Sequence, residues 1–163
     1  STQLRIDGAI YRFNARGYMV TGWVYEDGQW YYYGASGGQS AGWVRVHGTW
    51  YYLDPLTGAM ASGWTKVQGT WYYLSSSGAM RTGWVRDGSA WYYLTSSGAL
   101  ATGWQRVGSS WYYLSPDGGA MATGWLRDGD AWYYLTSSGV MTTGSRWIDG
   151  TRYAFDGEGR LMP

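Results

Sequence analysis

The sequence predicts an all-β chain built as a solenoid of stacked β-hairpins, and three observations carry that prediction. Gly-Trp recurs with Trp at 23, 43, 64, 84, 104 and 125, in steps of 20, 21, 20, 20 and 21 residues. A second series, Trp30, Trp50, Trp71, Trp91, Trp111 and Trp132, trails the first by seven. Helical periodicity is absent, and 27 glycines among 163 residues recur at turn intervals. A fixed period near twenty signals a repeat whose units bury their apolar faces only by stacking, since a lone hairpin is marginal in water.

Taken in order, the chain reads as a single array over residues 1–163. Residues 1–22 form a degenerate N-terminal cap, where Ile10-Tyr11-Arg12-Phe13 stands in place of Trp-Tyr-Tyr-Leu. Residues 23–144 hold six Trp-Trp hairpin repeats, and residues 145–163 form a degenerate C-terminal cap after Gly144-Ser145-Arg146-Trp147 breaks the Gly-Trp pattern. Degenerate terminal units are what a stacked array needs as caps. The two longer steps each carry one extra residue, within Asp54-Pro55-Leu56-Thr57 and Ser115-Pro116-Asp117-Gly118, which marks that place as a loop.

Within a repeat, the spacing is satisfied if Trp84 faces Trp91 on antiparallel strands. Val85 then pairs with Ala90 and Arg86 with Ser89, leaving a two-residue turn at Asp87-Gly88, the pair a type I′ turn prefers. Asp128-Gly129 repeats it, and Val107-Gly108 keeps Gly in the same slot. Gly28, Gly48 and Gly69 fall one place later, as in a three-residue loop ending in a left-handed Gly. Strand alternation puts Trp84, Trp91 and Tyr93 on one face and Val85, Ala90, Tyr92 and Leu94 on the other.

Composition narrows the function. Aromatics make up 20% of the chain, but only 2 are Phe, so the apolar mass is Trp and Tyr, residues favoured where one side of the ring stays wet. Net charge is +1 with 14% charged residues and no basic patch, which argues against nucleic acid. No apolar run is long enough to span or insert into a membrane. Cysteine is absent, and STQLRIDG lacks the charged and apolar regions of a signal peptide, so the chain is expected to be a mature or excised piece. The balance leans toward an extracellular carbohydrate or cell-wall ligand.

The unit running from Gly63-Trp64 through Trp71-Tyr72-Tyr73-Leu74 and Gly78-Ala79-Met80 to Thr82-Gly83-Trp84 resembles the choline-binding repeat of Gram-positive surface proteins and wall lytic enzymes. The resemblance covers roughly residues 8 to 160. It implies a left-handed β-superhelix of hairpins, with choline groups of teichoic or lipoteichoic acids held between hairpins by two Trp of one unit, a Tyr of the next and often a Met. The partner it implies is choline or phosphocholine on wall polymers at the cell surface. Related glucan-binding repeats usually lack the second Trp, so a neutral glycan such as α-glucan is the alternative partner.

The chemistry agrees, because a quaternary ammonium donates no hydrogen bond and is recognised by aromatic faces. The expected cages are Trp43, Trp50, Met60 and Tyr73; Trp64, Trp71, Met80 and Tyr93; Trp84, Trp91, Leu100 and Tyr113; and Trp104, Trp111, Met121 and Tyr134. Two weaker ones are expected: Trp23, Trp30 and Tyr52 with Gln39 at the Met position, and Trp125, Trp132 and Met141 facing Arg152-Tyr153-Ala154, where the third wall is expected to be lost. The competing reading is that these aromatics only pack hairpin on hairpin.

Enzymatic readings fare worse. His47 is the single histidine, and with no Cys neither a metal cluster nor a His-based triad can be assembled, so no cofactor is expected. Asp27, Asp87, Asp128 and Asp149 adjoin Gly in turns, which accounts for them. The expectation is a non-catalytic binding module that anchors another domain, with homodimerisation through its less regular end left open.

Overall fold

A computed structural model describes residues 2–163 and contains strands but no helices among them. Sixteen five-residue strands pair consecutively into eight antiparallel hairpins: β1 (Thr2–Ile6) with β2 (Ala9–Phe13), β3 (Gly22–Glu26) with β4 (Gln29–Tyr33), β5 (Gly42–Val46) with β6 (Thr49–Leu53), and β7 (Gly63–Val67) with β8 (Thr70–Leu74). There follow β9 (Gly83–Asp87) with β10 (Ala90–Leu94), β11 (Gly103–Val107) with β12 (Ser110–Leu114), β13 (Gly124–Asp128) with β14 (Ala131–Leu135), and β15 (Gly144–Ile148) with β16 (Thr151–Phe155). These fall into two compact units, the first ending at Arg81 and the second running from Thr82 to Pro163, with four hairpins in each. Both terminal stretches form hairpins.

The register differs from the expected one by two residues. Trp84 pairs with Tyr93, Val85 with Tyr92 and Arg86 with Trp91, and the turn is Gly88-Ser89 rather than Asp87-Gly88. Gly88 has φ 58° and Ser89 lies outside the positive-φ region, the pattern of a type II′ turn with Gly in its first central place. In the earlier repeats the turn is also two residues, not three. Asp27-Gly28, His47-Gly48 and Gln68-Gly69 all have both central φ values positive, as a type I′ turn requires. An even slip leaves every side chain on its predicted face, because side chains alternate with period two.

The linker after each hairpin ties the stack together by backbone hydrogen bonds. Ala61 N–H donates to the Tyr52 carbonyl of the hairpin just completed, while Met60 N–H reaches back to the Trp30 carbonyl of the hairpin before it. Met80 does the same with Trp50, Met121 with Trp91, Met141 with Trp111 and Leu161 with Trp132. The inserted residue in Asp54–Thr57 is absorbed locally, the loop closing from Gly58 N–H to the Asp54 carbonyl where the shorter loop closes from Gly78 to Ser75. Asp54 accepts from the Leu56 and Thr57 amides, and those bonds, Thr57 foremost, hold its carboxyl below its ordinary value.

Each unit has a core of residues that end the second strands. Tyr33, Leu53 and Leu74 form it in the first unit, and Leu94, Leu114, Leu135 and Phe155 form that of the second, all essentially inaccessible to solvent. At the N-terminal end Arg12, buried among the first two hairpins, makes a two-pronged ion pair with Glu26 of β3.

Candidate functional site

Within each unit the hairpins stack head to tail, so the forward face of one meets the back face of the next. The forward face carries both tryptophans and the second tyrosine, which packs on its own hairpin: Tyr93 lies 5.1 Å from Trp84 by ring centroids, and Tyr52, Tyr73, Tyr113 and Tyr134 sit at 5.0–5.2 Å from Trp43, Trp64, Trp104 and Trp125. The back face presents the first tyrosine. Trp23 meets Tyr51, Trp43 meets Tyr72, Trp84 meets Tyr112, Trp104 meets Tyr133 and Trp125 meets Tyr153, each at 4.8 Å.

These contacts form corners open to solvent. Trp84 and Trp91 stand perpendicular, at 86° with centroids 6.4 Å apart, and Trp23–Trp30, Trp43–Trp50 and Trp125–Trp132 repeat that geometry. The second tryptophan of every pair stays about two-fifths exposed, from 40% at Trp50 to 44% at Trp132. Three cavities lie at such corners. One of about 280 Å³ is lined by Trp23, Trp30, Tyr51, Met60 and Ser77. One of about 320 Å³ is lined by Trp84, Trp91, Tyr112, Met121, Ser137 and Ser138. The third, about 400 Å³, is lined by Trp104, Trp111, Tyr133, Met141, Gly157, Glu158 and Arg160.

The structure places Trp23 beside Trp30, Trp43 beside Trp50, Trp84 beside Trp91, Trp104 beside Trp111 and Trp125 beside Trp132, but gives them other partners than the sequence suggests. Within each unit, Tyr52, Tyr73, Tyr113 and Tyr134 do not form the third wall for the preceding hairpin, because in a head-to-tail stack a residue on the tryptophan face points forward, away from it. The methyl-bearing closing residues shift by one unit for the reason given by the linker hydrogen bonds. Met60 sits with Trp23 and Trp30 rather than Trp43 and Trp50; Met80 is tied to Trp50 rather than Trp71; Met121 joins Trp84 and Trp91; Met141 joins Trp104 and Trp111. Leu100 pairs with Leu94 and lies against Gly119 instead of closing the Trp84–Trp91 cavity. Gln39 is bonded to the Ile10 carbonyl of the first hairpin, which has no Trp, so the Trp23–Trp30 cavity has a Met after all. Trp125 and Trp132 keep an aromatic third wall in Tyr153, with Leu161 in the closing position. Arg152 donates to Ser145, and the Arg146 guanidinium lies 5.9 Å over the Tyr134 ring.

Sequence reasoning missed Tyr51, Tyr72, Tyr112, Tyr133 and Tyr153, although alternation already placed the first tyrosine opposite the tryptophans. Also unforeseen was a cation as register partner of every second tryptophan except Trp30, which pairs with Tyr25. Register pairs Arg45 with Trp50, Lys66 with Trp71, Arg86 with Trp91, Arg106 with Trp111 and Arg127 with Trp132. The Arg45 guanidinium lies 6.0 Å from the Trp50 ring and the Lys66 ammonium 5.7 Å from that of Trp71, within cation–π range. The Trp104 indole N–H donates to Asp128 at 2.9 Å, which satisfies its polar edge.

A family model described as a choline-binding repeat matches residues 4–42, 26–62, 61–102, 81–123, 101–142 and 122–162. Among solved structures, CbpJ from Streptococcus pneumoniae is similar over 94% of this chain and 56% of its own, with TM-score 0.92 and 45% identity. Choline binding protein F from Streptococcus pneumoniae, solved in the presence of a peptidoglycan analogue, matches over 99% of this chain and 57% of its own, with TM-score 0.90 and 38% identity. The modular autolysin LytC from Streptococcus pneumoniae, in complex with a synthetic peptidoglycan ligand, matches over 100% of this chain and 42% of its own, with TM-score 0.73 and 32% identity. The chain therefore spans little more than half the length of the first two. A search of curated proteins found no significant match.

Proposed function

Because the chain belongs to the choline-binding repeat family, we propose that it is a non-catalytic module that captures choline groups of teichoic or lipoteichoic acids in aromatic cages and so anchors an attached domain at the cell surface. Each cage is made of two perpendicular tryptophans of one hairpin, the first tyrosine of the next hairpin, and the Met or Leu of the linker that follows it. The observation that carries this reading is the recurrence of one geometry, a 4.8 Å Trp–Tyr contact between hairpins beside a half-exposed second tryptophan. A trimethylammonium group has no hydrogen to donate, so ring faces and a polarizable thioether are the groups suited to enclose it. Neutral sugars would also stack on such rings, with the rim serines Ser77, Ser137 and Ser138 beside them, so the glycan reading is tested alongside. Three aromatic walls contributing roughly 0.5–2 kcal/mol each give a single site of about millimolar Kd after the cost of association.

Calorimetric titration with choline chloride, then with soluble α-glucan, tests the proposal. It predicts heat with choline at millimolar concentration. Heat with glucan alone transfers the module to the glycan-binding class, and heat with neither leaves the aromatics as packing.

A further inference from the structure

The cavity at Trp104 and Trp111 differs from its neighbour in one respect that aromatic packing does not explain. At the Trp84–Trp91 cavity the rim is Ser137 and Ser138, two neutral hydroxyls in the loop Thr136-Ser137-Ser138-Gly139-Val140. One hairpin on, the equivalent loop is Asp156-Gly157-Glu158-Gly159-Arg160, and the rim becomes Gly157, Glu158 and Arg160. The backbone is the same in both. Gly139 N–H closes on the Thr136 carbonyl at 2.8 Å and Gly159 N–H on the Asp156 carbonyl at 3.1 Å, while the Thr136 and Asp156 amides alike donate to the return strand, at 2.9 Å to the Val140 and Arg160 carbonyls. The charged side chains are therefore an addition to a fixed frame. Asp156 is occupied in holding the loop, its carboxylate accepting from the Glu158 and Arg160 amides at 2.9 and 2.8 Å. Glu158 and Arg160 are left to face the cavity, paired with each other at 2.8 Å and both more than half exposed. Arg160 also donates to the hydroxyl of Tyr133, the tyrosine of the same cavity, and this bond together with Glu158 holds its guanidinium firmly protonated.

We propose that Glu158 and Arg160 make the Trp104–Trp111 site selective for the phosphocholine zwitterion over choline. The proposal rests on the cage reading above. A ring cage recognises only the ammonium end of the ligand. In phosphocholine an anionic phosphate follows the ammonium across a two-carbon bridge and an ester oxygen, and a rim carrying one carboxylate and one guanidinium offers a partner to each charge. The guanidinium fork suits phosphate oxygens, and the carboxylate adds Coulomb attraction to a cation already held by ring faces. Bare choline meets the attraction of Glu158 and the repulsion of Arg160, which offset each other. The cation paired with the second tryptophan is common to both sites, Arg86 at Trp91 and Arg106 at Trp111, and the serine rim adds no charge to it, so the two ligands differ less there. Both charged groups are exposed, so solvent screening limits the preference to about two- to fivefold in Kd.

The test is titration of the full chain with choline chloride and, separately, phosphocholine, following the indole N–H resonances of Trp111 and Trp91, assigned from single Trp→Phe variants. The expected result is a phosphocholine-to-choline affinity ratio about two- to fivefold higher at Trp111 than at Trp91. In Arg160→Val the ratio at Trp111 falls to that at Trp91 and choline binding there tightens slightly. In Glu158→Ser choline binding at Trp111 weakens while Trp91 is unmoved. Equal ratios at both tryptophans in the native chain, with choline binding intact, overturn the selectivity proposal alone. Absence of choline shifts at either tryptophan overturns the cage reading beneath it.

Discussion

At the residue scale, Tyr112 and Tyr113 are chemically identical neighbours that face opposite ways. Tyr112 crosses to Trp84 of the preceding hairpin, and Tyr113 packs on Trp104 of its own. Replacing Tyr112 by Leu should weaken choline at the Trp84–Trp91 site by about 0.5–2 kcal/mol, the contribution of one aromatic wall. Tyr113→Leu should leave that site nearly unchanged, and site-resolved titration on the Trp91 indole resonance distinguishes the two; a larger effect from Tyr113 contradicts the head-to-tail assignment. Gly78 gives a second residue-level expectation. It is buried in the linker turn with φ 78°, and a Cβ built on it would lie 2.2 Å from the Met60 sulfur. An L side chain there carries about 1–2 kcal/mol of left-handed strain and pushes Met60 out of the Trp23–Trp30 cavity. Gly78→Ala should therefore lower the Tm and weaken choline at Trp30; an unchanged Tm would show that the turn tolerates a Cβ.

At the scale of the element, the first hairpin is attached to the second partly by charge. Hydrogen bonding to Arg12 is the main reason that the Glu26 carboxyl titrates below the ordinary glutamate value of about 4.3. A carboxyl whose value is lowered by folding adds stability above its unfolded value and loses it as pH falls through the folded one. The Tm of the native chain should thus exceed that of Glu26→Gln at pH 7, and the gap should close as pH drops below about 4. A gap that persists in acid would place the effect in packing rather than charge. Hairpins, their order and the faces of their strands were legible because Trp, Tyr and Gly recur at a fixed period and alternation is a local rule. Register was less legible. Asp87-Gly88 and Gly88-Ser89 both make acceptable two-residue turns, and only the paired strands decide between them. The partners of each cavity were not legible from one repeat, since Met121 reaches Trp91 through a backbone hydrogen bond from a linker thirty residues further on.

For the whole molecule, the consequence of repetition is multivalency. Sites of about millimolar Kd hold a polymer tightly when several engage one chain, because each later contact is intramolecular; avidity can exceed single-site affinity by roughly 10² to 10⁴. Ligand seated between two hairpins also favours the folded stack by mass action, by about 2.7 kcal/mol per site at a hundredfold excess over Kd. The Tm should climb with choline concentration and should not respond to sodium chloride at the same ionic strength. A flat Tm at saturating choline would mean that ligand does not bridge the hairpins.

The most direct measurement is a crystal structure of the chain soaked in choline chloride. The account predicts density for a trimethylammonium group against the faces of Trp84, Trp91 and Tyr112 beside Met121, and equivalent density at Trp23, Trp30 and Tyr51. Clear protein density with these corners empty at saturating choline, or choline seated on Tyr93 or Tyr113 instead, would contradict it.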